Sequence, residues 1–286
     1  MAYRAHIKIN KKIVLSIVVV LFFLWLIVTN IVVGVTKIEI SYEKLSEAFD
    51  GYRIVQISDL HNAEFGNKNK GLVDKIKNAN PDIIAITGDL IDSSKTNIDV
   101  AITFAKELTK IAPCYYVTGN HEAWVDDNTY LILEQRLMEE EVTILRDSEV
   151  LLEKDEAVIS LIGIDDPDFT SKNNGIAKHM VVDEINKLSS LDYFSILLSH
   201  RPEYYNVYKR TDVNLVLTGH AHGGQFRLPF IGGIIAPNQG LFPEYDSGLY
   251  RENDFAMVVS RGIGNSVIPI RFNNQPEIIV IELLKE

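Results

Sequence analysis

The chain has 286 residues, of which 47% are hydrophobic and 23% charged, a balance that indicates an ordered globular protein and excludes extended disorder. Its 39 acidic residues outnumber its 28 basic ones. This excess disfavours nucleic-acid binding, because affinity for phosphate backbones comes mainly from lysine and arginine. The single cysteine, Cys114, excludes an internal disulfide.

The first hydrophobic segment is an uncharged run from Ile13 to Val35. As a helix it would be about 34 Å long, enough to cross the roughly 30 Å hydrocarbon core of a bilayer. It exceeds the apolar region of a signal peptide, and no small-residue cleavage site follows it. We therefore predict a retained transmembrane anchor in residues 1–36. Its N-terminus is expected in the cytoplasm, because the charged residues before the run are all basic: Arg4, Lys8, Lys11 and Lys12.

Residues 37–286 are then predicted to form one domain on the outer face of the cell membrane. This part of the chain carries all 39 acidic residues and 24 of the 28 basic ones. If it handles a phosphate, metal ions must supply the positive charge. We expect no nucleic-acid partner, and the sequence leaves the oligomeric state open.

Five short apolar runs follow the anchor, and each ends in a polar motif. SDLH follows Ile57, TGDL follows Ile86, TGNHE follows Val117, SHRP follows Leu198 and TGHAHGG follows Leu217. Helical patterns over 69–79 and 97–111 separate the first three runs, which predicts an α/β fold with largely parallel pairing. The segment 36–45 alternates like a half-buried strand. The later segments 248–264 and 276–284 are typical of strands without helices between them, which predicts a mixed sheet or a second sheet.

The five polar motifs contain side chains that can bind metal ions, namely aspartate, histidine and asparagine, but no cysteine. Because ligands bind where the carboxyl ends of strands converge, these side chains are expected to share one site. Carboxylate, imidazole and amide groups suit Mn²⁺ first, with Fe²⁺ or Zn²⁺ as alternatives. The set exceeds what one tetrahedral ion uses, so two ions are predicted. If the segments are extended, Asp59 and His61 face the same side, as do His220 and His222.

Taken in order, the motifs DLH, GDLID, GNHE, SHRP and GHAH resemble the five-block signature of the calcineurin-like metallophosphoesterases. The surrounding sequence is similar to the membrane-associated or exported bacterial branch, some of whose members act on lipids of the UDP-2,3-diacylglucosamine type. The resemblance implies a four-layer α/β/β/α sandwich with a binuclear metal site.

Carried over by position, the resemblance assigns a role to each residue. His121 would protonate the leaving oxygen, and Asp92 matches a carboxylate that orients such an imidazole in relatives, although an ordinary turn role for Asp92 stays open. The two ions would activate a bridging water and stabilise the oxygens of an in-line displacement. Seven ligands are implied: Asp59, His61 and His222 for one ion, Asn120, His200 and His220 for the other, and Asp89 between them.

The predicted function is a membrane-anchored phosphoesterase that hydrolyses a phosphodiester, phosphomonoester or pyrophosphate of a small or lipid-linked molecule. The alternative is a catalytically silent metal-binding scaffold. Three features stay open between a role at the site and a structural role. Arg201 and Arg261 are either phosphate contacts or structural pairs, and the acidic loop 163–169 is either an entrance or a turn. The apolar segment 226–235 is either a lipid-facing lip or a buried hairpin.

Overall fold

The computed structural model describes residues 10–169 and 178–286. Arg4 and Lys8 of the basic flank lie outside these residues. The helices are α1 (Lys11–Ile31), α2 (Lys70–Ala79), α3 (Ile98–Thr109), α4 (Asn120–Trp124), α5 (Asp127–Glu139), α6 (Lys178–Leu188) and α7 (Tyr205–Tyr208). The strands are β1 (Gly34–Tyr42), β2 (Tyr52–Ile57), β3 (Ile83–Thr87), β4 (Cys114–Val117), β5 (Thr143–Ile144), β6 (Ser148–Lys154), β7 (Ala157–Gly163), β8 (Phe194–Leu198), β9 (Leu215–Thr218), β10 (Arg227–Leu228), β11 (Gly232–Gly233), β12 (Ile235–Ala236), β13 (Gly240–Leu241), β14 (Gly248–Glu252), β15 (Phe255–Val259) and β16 (Glu277–Lys285).

Two mixed sheets form the centre of the protein. The first has the strand order β1-β16-β2-β3-β4-β5, and the second has the order β14-β15-β9-β8-β7-β6. Pairing is parallel from β2 to β5 and from β7 through β8 and β9 to β15. The predicted parallel α/β core is therefore confirmed, and the later strands divide between the sheets. β14 and β15 extend the second sheet, whereas β16 inserts antiparallel to β2 in the first.

The apolar runs are continuous because each central strand is buried on both faces. Ile84 and Ile86 pack against α2, α3 and α5 on the outside of the first sheet, while Ile83 points into the layer between the sheets. In the second sheet Leu217 points into that same layer, and Val216 packs outward against α6 and α7. A strand covered on both sides loses the polar–apolar alternation. The layers are helix, sheet, sheet and helix, as the family resemblance implied.

Helix α1 is long and apolar enough to cross a membrane, and it has no buried residue. Its first turn is capped by Asn10, whose side chain accepts the Lys12 amide. The helix ends earlier than the uncharged run suggested, because Val32 is already extended and β1 begins at Gly34. The last residues assigned to the anchor thus belong to the first sheet.

Candidate metal centre

The predicted ligands come together at the carboxyl ends of the strands, where the two sheets meet. Potential ligand atoms of Asp59, His61 and His222 lie within 4.8 Å of one another, and those of Asp89, His200 and His220 form a second such group. All seven predicted ligands, including Asn120, are buried. Strands of both sheets therefore supply one interior polar site.

The ligand loops depart from extended geometry, which corrects the expectation of alternating residues in an extended segment. Asp59 and His61 have φ of 52° and 45°, and His220 and His222 have φ of 65° and 47°. Residues with a Cβ rarely adopt this left-handed region, and each instance costs on the order of 1–3 kcal/mol. Inter-strand hydrogen bonds hold the first loop, since the Asp59 amide donates to the Gly88 carbonyl at 3.0 Å.

Gly119 brings the β3 and β4 loops into close contact. A Cβ added at Gly119 would lie 2.2 Å from Asp89 Oδ1 and 2.6 Å from the Asp89 nitrogen. Real Cβ atoms do not approach other atoms so closely. Only glycine at position 119 therefore lets the Asp89 carboxylate occupy the centre of the site.

The spacing of the ligand atoms fits divalent ions. Ligand atoms at about 2.1 Å from a tetrahedral ion lie about 3.4 Å apart. In the structure His61 Nε2 lies 3.5 Å from Asp89 Oδ2, and His200 Nε2 lies 3.2 Å from the same oxygen. His222 Nε2 lies 3.5 Å from Asp59 Oδ1. Asp89 Oδ2 thus stands between the two groups, as a bridging ligand would.

An unpartnered buried atom supports the same fit. Asn120 Oδ1 is buried without a hydrogen-bond partner. A buried polar atom left alone costs about 1–3 kcal/mol, so such atoms require an explanation. His220 Nε2 lies 3.3 Å from Asn238 Oδ1, and the tautomer that donates to this oxygen leaves the Nδ1 lone pair for an ion. The residues present therefore suit two cations.

Electrostatics keep most of these imidazoles neutral, which is the form that binds metal. Burial lowers the pKa of His61 to about 4, although the Asp89 carboxylate opposes the shift. Burial also lowers the pKa of His220 and of His222 well below the usual value. His200 differs: burial would lower its pKa, but its contact with Asp89 raises it to about 10. A cation beside Asp89 would displace that proton.

His121 lies beside the metal ligands with its ring orientation fixed. Its ring centroid is 4.5 Å from that of His61. The Ser93 amide donates to His121 Nδ1 at 3.0 Å, and His121 Nε2 lies 3.0 Å from Ser266 Oγ. Since Nδ1 accepts, the ring proton sits on Nε2. His121 thus presents an N–H hydrogen-bond donor next to the site.

Asp92 lies beside both His61 and His121, and potential ligand atoms of the three residues lie within 4.8 Å of one another. Its Oδ1 accepts the Ser94 amide at 2.8 Å, in an ordinary turn, and its Oδ2 lies 3.9 Å from His61 Nδ1, beyond hydrogen-bonding distance. His121 Nδ1 accepts a hydrogen bond from the Ser93 backbone amide. The orienting role of Asp92 therefore stays a prediction.

Sequence reasoning missed the role of Glu122. This fully buried side chain accepts the amides of Asp89 at 2.9 Å, Ile91 at 3.2 Å and Gly119 at 2.8 Å. Burial, with Asp89 nearby, raises the pKa of Glu122 to about 7. The sequence signal was the glutamate of GNHE, because a Glu three residues after a helix N-cap can accept a hydrogen bond from the N-cap amide.

Both arginines left open by the sequence form ion pairs in the structure. Arg201 is buried and forms a bidentate pair with Asp166. The acidic loop therefore orients Arg201, which in turn contacts His220. Arg261 pairs with Glu277.

Arg271, which no sequence motif singled out, is buried beside the metal-ligand candidate His222. It donates to the Gly264 carbonyl, to Asn265 Oδ1 at 3.0 Å and to the Arg261 carbonyl at 2.6 Å. Its guanidinium also lies 3.4 Å from His222 Nδ1. Burial lowers the pKa of Arg271 to about 10. The Arg271 side chain therefore connects the loop 261–265 with His222 of the metal centre.

Comparison with known proteins gives a consistent result. Residues 52–224 match the family model of the calcineurin-like phosphoesterases. The chain is 31% identical over 262 residues, 87% of its length and 84% of the relative, to the uncharacterized metallophosphoesterase YkuE of Bacillus subtilis. It is 26% identical to phosphodiesterase YaeI of Escherichia coli, over 82% of each protein.

Two further similarities are partial. A Danio rerio transmembrane protein with a metallophosphoesterase domain is 31% identical over 87% of this chain, but the chain spans only 57% of that relative. A 5'-nucleotidase precursor from Thermus thermophilus superposes with a TM-score of 0.51 at 12% identity, over 74% of this chain and 49% of that one. At this identity the likeness concerns the fold alone.

Proposed function

Because this chain belongs to the calcineurin-like phosphoesterase family, we propose that it is a membrane-anchored, metal-dependent phosphohydrolase that cleaves a phosphodiester. A phosphomonoester or pyrophosphate would use the same site. One observation carries the proposal: two groups of buried ligand atoms share the Asp89 carboxylate at the junction of the two sheets. The name of the related phosphodiesterase YaeI favours the diester.

The ligands divide between two ions as the family pattern suggests. Two bound divalent ions, with Mn²⁺ preferred over Fe²⁺ or Zn²⁺, would supply Lewis-acid stabilisation of the phosphoryl charge and activation of water. One ion would be held by Asp59, His61 and His222, the other by Asn120, His200 and His220, and both by Asp89.

The chain's own residues supply a hydrogen-bond donor and the orientation. In the hydrolysis, a water oxygen bonds to phosphorus, the bond from phosphorus to the leaving oxygen breaks, and the proton released by the water ends on that leaving oxygen. His121 Nε2–H donates a hydrogen bond to the leaving oxygen as its charge develops. The Ser93 amide holds the ring in this tautomer. Asp92, which lies 3.9 Å from His61 Nδ1 and next to His121, would act on both rings through its negative charge. Glu122 and Gly119 fix the Asp89 loop against the His121 helix.

Membrane anchoring is supported by two features. Helix α1 is apolar and exposed along its length, and related proteins of Danio rerio and Bos taurus are named as transmembrane proteins with this domain. We propose a single span with its N-terminus in the cytoplasm and the phosphoesterase domain outside. Protease added to right-side-out membrane vesicles should then digest the domain, whereas a cytoplasmic domain would be protected.

The activity is tested with the full-length protein in detergent. Bis-p-nitrophenyl phosphate, p-nitrophenyl phosphate and a UDP-linked lipid are assayed after chelation and after addition of Mn²⁺, Fe²⁺ or Zn²⁺. We expect metal-dependent turnover that Asp89→Ala abolishes and that Asp74→Ala, a matched change on the exposed surface of α2, leaves intact. A protein that binds two ions tightly and turns over none of these compounds would instead support the silent scaffold.

A further inference from the structure

Exposed apolar side chains gather on the loops beside the candidate metal centre. Phe230, Leu241 and Phe242 belong to the turns and edges of the small hairpins β10–β11 and β12–β13, and Val267 lies in the loop before β16. Leu241 is 67% exposed, Phe242 63% and Val267 87%, while Phe230 is fully exposed. We call these residues, with Leu228 and Ile270, the apolar rim. The apolar segment 226–235 is thus not a buried hairpin at its tip.

The apolar rim is connected to helix α1 through Phe272 and Arg271. The Phe272 ring lies 5.5 Å from Trp25 and 6.4 Å from Phe22, centroid to centroid. The side chain of Asn30 donates to the Arg271 carbonyl at 2.9 Å and accepts the Arg271 amide at 2.8 Å. Trp25 lies six residues before the end of α1, about 9 Å along the axis. Phe272 therefore packs against the apolar body of α1 and not against its C-terminal end.

Backbone hydrogen bonds join Phe272 to the hairpins. The Arg227 amide donates to the Phe272 carbonyl at 2.9 Å, and the Ile234 amide donates to the Phe226 carbonyl at 2.8 Å. The Phe242 amide donates to the Ile234 carbonyl at 2.8 Å. These hydrogen bonds connect both small hairpins to Phe272, which packs against α1. The hairpins are therefore held in a fixed position relative to α1.

The rim also borders the catalytic side of the metal centre. Ser266, which lies 3.0 Å from His121 Nε2, immediately precedes Val267 in the chain. Gln225, three residues after the ligand His222, donates through its side chain to the carbonyls of Ile268 and Ile270. A molecule that reached His121 would therefore pass close to the rim.

We propose that the apolar rim inserts into the bilayer leaflet from which α1 emerges, so that the metal centre opens at the membrane surface and receives amphiphilic phosphoesters from it. This inference rests on the proposed anchoring. Exposed apolar patches are unfavourable in water, and burial is favourable by about 25 cal/mol per Å². The domain is strongly acidic, so attachment through apolar side chains, rather than through attraction to anionic lipids, fits its charge.

The test measures insertion with labels at single positions. The full-length protein is reconstituted in phosphatidylcholine nanodiscs with an environment-sensitive fluorophore on Phe230→Cys, Phe242→Cys, Val18→Cys or Leu191→Cys. Val18 lies in the apolar body of α1. Leu191 is 71% exposed and precedes the amino end of β8, whereas the site lies at the carboxyl ends of the strands. The native Cys114 is buried, and the unsubstituted chain checks its labelling.

We expect blue-shifted emission and quenching by doxyl-labelled lipids at 230, 242 and 18, with neither effect at 191. Quenching at 18 without quenching at 230 and 242 would refute the rim insertion while keeping the anchor. A blue shift at 230 without lipid quenching would mean that protein, such as a second copy, covers the rim, and would also refute the proposal. No catalysis is measured, so failure of the proposed hydrolase activity would be seen separately.

Discussion

Removing the carboxylate of Glu122 tests whether this side chain holds the two ligand loops together. Its Oε2 accepts the amides of Asp89 and Gly119, and its Oε1 accepts the amide of Ile91. Glu122→Ala leaves these three buried donors without their partner. Glu122→Gln keeps the shape but retains one acceptor oxygen.

The expected loss follows from the donors left alone. Each unsatisfied buried amide costs about 1–3 kcal/mol. Water that entered the polar cavity would accept hydrogen bonds from some of these amides. Glu122→Ala should therefore lose roughly 3–6 kcal/mol of unfolding free energy. Glu122→Gln should lose less, about 1–3 kcal/mol, because its remaining oxygen still accepts. At about 2–4 °C per kcal/mol, Glu122→Ala should melt at least about 6 °C below the parent protein.

The assay is thermal unfolding of the full-length protein in detergent, followed by circular dichroism. Glu156→Ala, at an exposed position before β7, is the matched control and should change the unfolding free energy by no more than about 0.5 kcal/mol. If Glu122→Ala melted together with Glu156→Ala, the three hydrogen bonds would not hold the loops, and the reasoning would be refuted.

Three further predictions concern the site. His121→Ala should slow turnover by about 10²–10⁴-fold for a diester with a poor leaving group, with metal content unchanged by mass spectrometry; an equal rate would exclude a catalytic role for His121. Gly119→Ala should abolish activity by displacing Asp89, whereas Gly71→Ala, with open space around its Cβ, should remain active; activity in both would contradict the close approach. Chelation should lower the melting temperature, and metal at about 100 times its dissociation constant should restore about 2.7 kcal/mol; an unchanged melting temperature would argue against ion binding.

The sequence by itself determined the pattern of strands and the chemistry at their ends. Runs such as Ile83–Thr87 are apolar at almost every position because both faces are covered, and this local property predicts a central strand. The polar motifs then fall at the carboxyl ends of parallel strands, so their convergence follows from topology. The fold and the family resemblance were therefore accessible from residue order.

Tertiary structure decided what depends on partners distant in the chain. The left-handed conformations of Asp59 and His61 arise from hydrogen bonds to the β3 loop, which no local pattern encodes. The choice of Ser93 rather than Asp92 as the partner of His121 Nδ1, and the pairing of Arg201 with Asp166, depend on which loops meet.

The apolar rim illustrates the same limit on the membrane side of the protein. Its residues are as hydrophobic as those of the core, and only the assembled structure shows that Phe230, Phe242 and Val267 are exposed. Periodicity reports how a segment alternates along its own axis, whereas contacts between segments far apart in sequence depend on the whole assembled fold.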